Sequence, residues 1–197
     1  MKLGVLFSGG KDSTMAIHKC LKKGWEIAYL LSVKPTRDDC YLYHFATVEH
    51  TDLQAKAMEL PHKLISCDVA DPKEEAKLVR EVIEKDRVDA IILGGIGLQK
   101  TQINSIQEAV KDLGIKVFAS HAGESHEKLI EEAIRLGYDV RITAVASDGL
   151  NADWLGKKLD TNSFKEFKKL SDKFGFHVGG EGGYYDTFVC DGPNFNK

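Results

Sequence analysis

Leu3-Gly4-Val5-Leu6-Phe7-Ser8-Gly9-Gly10-Lys11-Asp12-Ser13 is the stretch that decides the fold. Leu3 to Phe7 is a short apolar run and reads as a buried β-strand. Thr14-Met15-Ala16-Ile17-His18-Lys19-Cys20-Leu21 reads as the first turns of a helix. Between them two glycines turn the chain. Glycine takes positive φ cheaply and lets backbone approach a ligand closely. A helix start offers unpaired N–H groups and a partial positive charge. Strand, glycine turn and helix start together make a phosphate site, to which Lys11 adds a cation and Ser8 and Ser13 add hydroxyls. The spacing is neither G-x-x-x-x-G-K-[ST] nor G-x-G-x-x-G.

Outward from this loop, strands and helices alternate. Trp25 to Val33 reads as a second strand buried on both faces. Thr51 or Asp52 is the expected cap of a helix that Pro61 ends. His62 to Cys67 reads as a third strand. Asp71-Pro72-Lys73-Glu74 is a helix start, with a capping Asp, Pro at the first helical position and Glu three residues on. Ala76, Val79, Val82 and Ile83 fall on its inner face. Val88 to Leu93 is a fourth strand, ending in Gly94-Gly95-Ile96-Gly97. Ile103, Ile106, Val110 and Leu113 mark the next helix, Gly114 ends it, and Ile115 to Ala119 is a fifth strand.

This alternation predicts an α/β fold: a parallel five-stranded sheet sandwiched by helices over residues 1–119. Ligands of such sheets sit beyond the carboxyl ends of the strands. The Ser8–Ser13 loop, the Gly94, Gly95 and Gly97 turn and the residues after Val33 should converge there. The glycine turn is either a tight connection or the wall of an adenosine pocket. Tyr41-Leu42-Tyr43-His44-Phe45 is either a loop packed over the sheet or a wall for a planar base or a substrate, with His44 pointing in.

Residues 120–197 have a different texture and read as a smaller α+β domain. Helices are expected over 125–136 and 162–175, and strands over 138–146 and 187–190. Lys165, Lys168, Lys169 and Lys173 line one helix face, but Glu166 and Asp172 interleave them, so a solvated face is expected rather than RNA contact. Gly179-Gly180-Glu181-Gly182-Gly183-Tyr184-Tyr185-Asp186 is costly to order. Such a loop makes sense where backbone touches a ligand and carboxylates meet a metal or an amine.

Composition narrows the class. A 197-residue chain with 43% hydrophobic residues can bury a core. A net charge of -3 gives no general pull toward nucleic acid or anionic membrane. The four cysteines, Cys20, Cys40, Cys67 and Cys190, form no C-x-x-C, which argues against zinc or a redox pair and fits a reducing cytoplasm. No secretion signal and no membrane span is expected.

Phe7-Ser8-Gly9-Gly10-Lys11-Asp12-Ser13 resembles the loop of the PP-loop, or N-type, ATP pyrophosphatases. With Tyr41-Leu42-Tyr43-His44, Thr51-Asp52-Leu53-Gln54-Ala55, Gly149-Leu150, Trp154-Leu155-Gly156, Gly180-Glu181-Gly182-Gly183, Thr187-Phe188-Val189 and Asp191-Gly192-Pro193, the whole chain is similar to the diphthine–ammonia ligase family. The resemblance implies that diphthine on translation elongation factor 2, ammonia and ATP give diphthamide, AMP and pyrophosphate through an acyl-adenylate. It implies ATP and Mg²⁺ as cofactors, with ATP held by Ser8, Gly9, Gly10, Lys11, Asp12, Ser13, Gly94 and Gly95. Lys11 and Glu181 are the expected catalytic residues. Asp12 is expected to hold either the Mg²⁺ or Lys11. His44, Gly182, Gly183 and Asp186 are expected on the substrate side. A homodimer stays open.

Three segments depart from the family pattern. Gln99-Lys100-Thr101-Gln102-Ile103-Asn104-Ser105 stands where many members carry Tyr-Gln-Arg and a further Arg. Ser120-His121-Ala122 replaces Pro-Leu-Trp or Pro-Ala-Trp, and Tyr184-Tyr185-Asp186 replaces Glu-x-Glu. These segments are expected to face the second substrate, and Lys lacks Arg's planar fork for carboxylate or phosphate. Other readings are a paralogue that amidates or thiolates something else (with Cys40 and Cys190 meeting in the cleft), a non-catalytic nucleotide sensor, and one subunit of a larger complex.

Overall fold

A computed structural model describes residues 1–43, 47–96 and 99–196. The expectations for His44, Phe45 and Gly97 fall outside these residues.

Five strands, β1 (Lys2–Leu6), β2 (Glu26–Pro35), β3 (His62–Cys67), β4 (Ala90–Leu93) and β5 (Lys116–Ala119), form one sheet in the order β3-β2-β1-β4-β5. Every neighbouring pair is parallel. The chain winds outward from β1 through β2 to β3, then returns to lay β4 on the other side of β1. Two successive crossovers therefore leave β1 and β4 in opposite directions, opening a crevice at their carboxyl ends.

Side-chain alternation along the strands builds two cores. Leu3, Val5, Leu30 and Ile92 pack on one face with Ala16 and Ile17 of α1 (Lys11–Lys22) and Ala55 of α2 (Thr51–Ala57). Tyr29, Leu31, Ile91 and Leu93 pack on the other with Val79 and Ile83 of α3 (Pro72–Lys85) and Ile106 and Val110 of α4 (Lys100–Val110). Asp71 caps α3 as expected, accepting from the Lys73 and Glu74 amides with Pro72 in the first turn.

Two helix starts differ from the sequence reading. α1 begins at Lys11 rather than Thr14, because Gly10 is its extended N-cap and the Thr14 amide already bonds the Gly10 carbonyl at 3.1 Å. The glycines end at position 10, and nothing in Lys11 to Ser13 resists a helical turn. Neither Thr51 nor Asp52 caps α2. His50 occupies that position, Thr51 donates back to the Val48 carbonyl at 2.6 Å, and Asp52 pairs with Lys56 one turn on.

The third core belongs to α5 (His126–Arg135), β6 (Asp139–Val145), α6 (Thr161–Phe174) and β7 (Tyr185–Asp191). β6 and β7 pair antiparallel as a two-stranded sheet. Phe167 is fully buried and meets Trp154, Phe176 and Tyr185 edge to face, an arrangement aromatic rings favour. Met15 of α1 packs into this core, so the first helix serves both sheets. Lys168 on the outer face of α6 pairs with Glu127. Among the described residues no helix is long and apolar enough to cross a membrane.

Candidate functional site

The Ser8–Ser13 loop leaves β1 at the crevice, and its glycines explain its shape. Gly9 has φ +80°, and a Cβ there would lie 2.5 Å from Gln54 Oε1. Its carbonyl accepts from the Val189 amide at 3.0 Å and from Gln54 Nε2 at 2.9 Å. Gln54 Nε2 also reaches the Val189 carbonyl at 2.6 Å. The Lys11 amide, an orphan of the helix start, donates to Thr187 Oγ1 at 3.2 Å. The loop is thus sewn to β7 on one side and to α2 on the other. Across it the Ser8 and Ser13 hydroxyls face each other at 3.3 Å, and Ser13 donates to the Gly10 carbonyl at 3.1 Å.

Gly94 has a packing duty. A Cβ there would meet the Ser13 backbone nitrogen at 2.6 Å. Glycine lets the end of β4 touch the start of α1, which closes the crevice to the width of a ligand. Gly94 also lines the cavity, while Gly95 lies buried behind Gln99.

The cavity is about 630 Å³, a size that suits a nucleotide. Ser8, Gly10, Lys11 and Ser13 line its polar floor. Leu6, Val33, Leu42, Val48 and Leu93 make an apolar end. Gly182, Gly183 and Asp186 also line the cavity, so residues far apart in sequence meet at one site. Tyr41 to Tyr43 belong to the same cavity. Their loop is held by the fully buried Glu75 carboxylate, which accepts from the Tyr41 amide at 2.7 Å and the Leu42 amide at 2.6 Å. Gln102 Nε2 holds the Leu42 carbonyl at 2.6 Å.

Lys11 is buried and turned toward the glycine-rich C-terminal loop. Its Nζ donates to the Gly179 carbonyl at 2.7 Å and to Asp12 Oδ2 at 3.0 Å, and lies 5.2 Å from the Tyr185 ring centre. An ammonium has three donors, and these contacts use two of them. Burial works against the charge, but the Asp12 carboxylate and the other partners more than offset it and hold the pKa above the ordinary lysine value. Asp12 Oδ2 pairs with Lys11, and Asp12 Oδ1 has no partner among the described residues. Among the described residues no group of three or more His, Cys, Asp or Glu is arranged to hold a metal ion.

Glu181 is half-buried beside this pair. Its Oε1 accepts from Gln99 Nε2 at 3.0 Å and lies 3.3 Å from His126 Nε2. Burial, and then the Asp12 carboxylate, push the Glu181 carboxyl up, against the pull of Lys11. Burial pushes the His126 imidazole down to about 4. The sequence reading missed His126, which looked only like the start of a helix. It also missed that Gln99, inside a segment that departs from the family pattern, bonds Glu181. His121 is fully buried beneath the loop, with Nε2 3.2 Å from the Asp12 carbonyl oxygen, and does not line the cavity.

The thiolating alternative finds no cysteine pair in the cavity among the described residues. Cys40 and Cys190 do not meet in the cleft, and neither lines the cavity. Cys40 Sγ lies 3.7 Å from Cys67 Sγ, and burial raises its pKa to about 11. Cys190 is exposed on β7 near Asp139 and Arg141. A thiol that stays protonated makes a poor sulfur nucleophile.

Comparison with known proteins matches both parts of the chain. Residues 1–117 match the family profile for the diphthamide synthase N-terminal domain, and residues 125–197 match that for its C-terminal domain. The Homo sapiens diphthine–ammonia ligase is 32% identical over 100% of this chain and 81% of its own length. The Bos taurus enzyme of the same name is 33% identical over the same shares. The Schizosaccharomyces pombe enzyme is 29% identical over 100% of this chain and 35% of its own length. The profile match to more than half the chain and the full-length similarity lead to one assignment: the chain belongs to the diphthamide synthase family of diphthine–ammonia ligases.

Proposed function

We propose that this chain is an ATP-dependent amide-forming ligase that converts diphthine on translation elongation factor 2 to diphthamide, with ammonia as nitrogen donor and AMP and pyrophosphate as products. One observation carries this reading. A single cavity is lined by both the glycine loop and the Glu181 loop, and Lys11 of the first bonds the Gly179 carbonyl beside the second. In this reading 1–119 is the nucleotide domain and 120–197 the substrate-side domain. The site of action is cytoplasmic, where the factor works.

The chemistry follows from what a carboxylate lacks. Its oxygen leaves badly, so ammonia cannot displace it directly. Attack by a diphthine carboxylate oxygen on the α-phosphorus of ATP forms a C–O–P bond and expels pyrophosphate. Ammonia then attacks the carbonyl carbon, the C–O bond breaks and AMP leaves carrying the former carboxylate oxygen. The nitrogen loses a proton and the amide remains. Charge develops on pyrophosphate in the first step. The Gly9 and Gly10 amides and the Lys11 ammonium are the donors at the start of α1 assigned to that charge, with the Ser8 and Ser13 hydroxyls beside them. Asp12, whose Oδ1 has no partner among the described residues, is the carboxylate that would help hold a Mg²⁺, which would neutralise part of that charge. Adenine packs against the apolar end at Leu42, Val48 and Leu93, beside Gly94. Gly182, Gly183 and Asp186 face the modified histidine, and Glu181 receives the amine.

The test is mass spectrometry of diphthine-carrying factor incubated with this protein, ATP·Mg²⁺ and ammonium. The reading predicts conversion of carboxylate to amide, lost in Lys11→Ala. Unchanged factor with intact ATP would refute it.

A further inference from the structure

His126 is the first residue of α5, and its side chain is 1% exposed. Neither ring nitrogen has a hydrogen-bond partner among the described residues. Nε2 is turned to two carboxylates, 3.3 Å from Glu181 Oε1 and 4.0 Å from Asp12 Oδ1, yet neither approach is a hydrogen bond. Asp12 Oδ1 and Gln99 Oε1 are also buried acceptors without a partner among the described residues. One nitrogen of the neutral ring carries a proton; in the tautomer with that proton on Nδ1, His126 Nε2 joins Asp12 Oδ1 and Gln99 Oε1 as acceptors short of a donor.

The charges lean the same way. Lys11 carries one positive charge against the negative charges of Asp12 and Glu181, and the neutral imidazole adds none. One negative charge is left over in a poorly hydrated place. A single monovalent cation with N–H donors and no acceptor of its own answers both needs. Acceptors 4.0 Å apart, as His126 Nε2 and Asp12 Oδ1 are, lie within reach of one nitrogen that donates to both.

Glu181 also lines a second cavity, of about 510 Å³, with Glu127, Asp172, His177 and Tyr184. It is therefore a wall shared with the nucleotide cavity. The His177 ring packs edge-on against His126 at 5.1 Å between centres. With Lys168 as its cation, this second cavity carries more negative than positive side chains, which raises the local concentration of small cations.

We propose that Asp12, Gln99, His126 and Glu181 form an ammonium-binding pocket at the wall that Glu181 shares between the two cavities. The identity of the cation rests on the ligase reading. Once bound, ammonium transfers one proton to the Glu181 carboxylate, and the resulting ammonia attacks the acyl-adenylate carbonyl. His126 positions the nitrogen.

Two measurements test this. Ammonium chloride is titrated into the intact protein while the His126 ring signals are followed by NMR, with sodium chloride at matched ionic strength as the comparison. A saturable shift with ammonium alone is expected. No saturable shift, or an equal shift with sodium, would overturn the pocket. In steady state, His126→Leu should raise the KM for ammonium at least tenfold while the KM for ATP stays within twofold. His126→Gln, which keeps an acceptor, should recover part of that loss. An unchanged ammonium KM, or both KM values rising together as a structural defect would make them, would contradict the assignment. If the wild-type protein turns over no ATP, the ligase reading fails, and the NMR titration judges the pocket by itself.

Discussion

Gln54 Nε2 lies 2.9 Å from the Gly9 carbonyl oxygen and thereby ties α2 to the glycine loop. The same nitrogen holds the Val189 carbonyl of β7. Gln54→Leu keeps much of the volume but removes both bonds. Leaving buried carbonyls short of donors costs about 1–3 kcal/mol. At about 2–4 °C per kcal/mol for a chain of this size, thermal unfolding should move down several degrees, and ATP affinity should fall because the loop loses an anchor. Calorimetry with and without ATP checks both. An unchanged Tm would show that the Gly9–Val189 backbone bond suffices.

Glu75 shapes the cavity from a distance. Its carboxylate holds the Tyr41 and Leu42 amides, and Leu42 lines the end proposed for adenine. Glu75→Gln removes the charge and points an amide donor at an N–H. Hydrogen bonds to charged groups contribute about 1.5–3 kcal/mol, so the KM for ATP should rise roughly tenfold or more, while kcat changes little. That pattern marks lost uniform binding. A fall in kcat at constant KM would move the loop from binding to chemistry.

Lys11 is predicted to act in the transition state. Removing one preorganised donor to a developing anion costs about 10²–10³ in kcat. Lys11→Ala should lose at least that in pyrophosphate release, since it also frees Asp12 and the Gly179 carbonyl. Single-turnover release measures it. A loss confined to the KM for ATP would reduce Lys11 to a binding group.

Stability should depend on pH through His126. Its folded pKa is about 4, below the ordinary value of 6.5, so the unfolded chain binds the extra proton between these limits. The contribution is fully present above about pH 6.5 and is lost as pH falls toward 4. Burial sets the direction. Asp12 opposes it, while Lys11, His177 and His121 reinforce it, and the raised Glu181 carboxyl works the other way. Denaturant unfolding of the wild type against His126→Leu isolates the term. The variant should show a shallower decline over that window, and identical slopes would contradict the burial assigned to His126.

Much of this was readable in the chain. Apolar runs separated by helical patterns determined the parallel sheet, and Ser8 to Ser13 marked its ligand end, because local periodicity and glycine chemistry are written residue by residue. Asp71 announced its helix for the same reason. Other features depend on contacts between distant segments. Nothing near Thr187 says that its hydroxyl meets the Lys11 amide, and nothing near Gln54 says that it joins Gly9 to Val189. His126 reads as a helix start until α5 is packed against the Glu181 loop. Gln99 looked like a departure from a pattern, and only the fold shows it bonded to Glu181. Spacing likewise gives no hint that the free thiol of Cys40 lies against Cys67 rather than near Cys190.

The most direct test follows an oxygen atom. Factor carrying diphthine with an ¹⁸O-labelled carboxylate is incubated with the protein, ATP·Mg²⁺ and ammonium, and the AMP is weighed by mass spectrometry. An acyl-adenylate formed in this cavity predicts one ¹⁸O in each AMP and none in pyrophosphate. Unlabelled AMP, or label in released phosphate, would contradict activation at the α-phosphorus and with it the roles given to the glycine loop and Lys11.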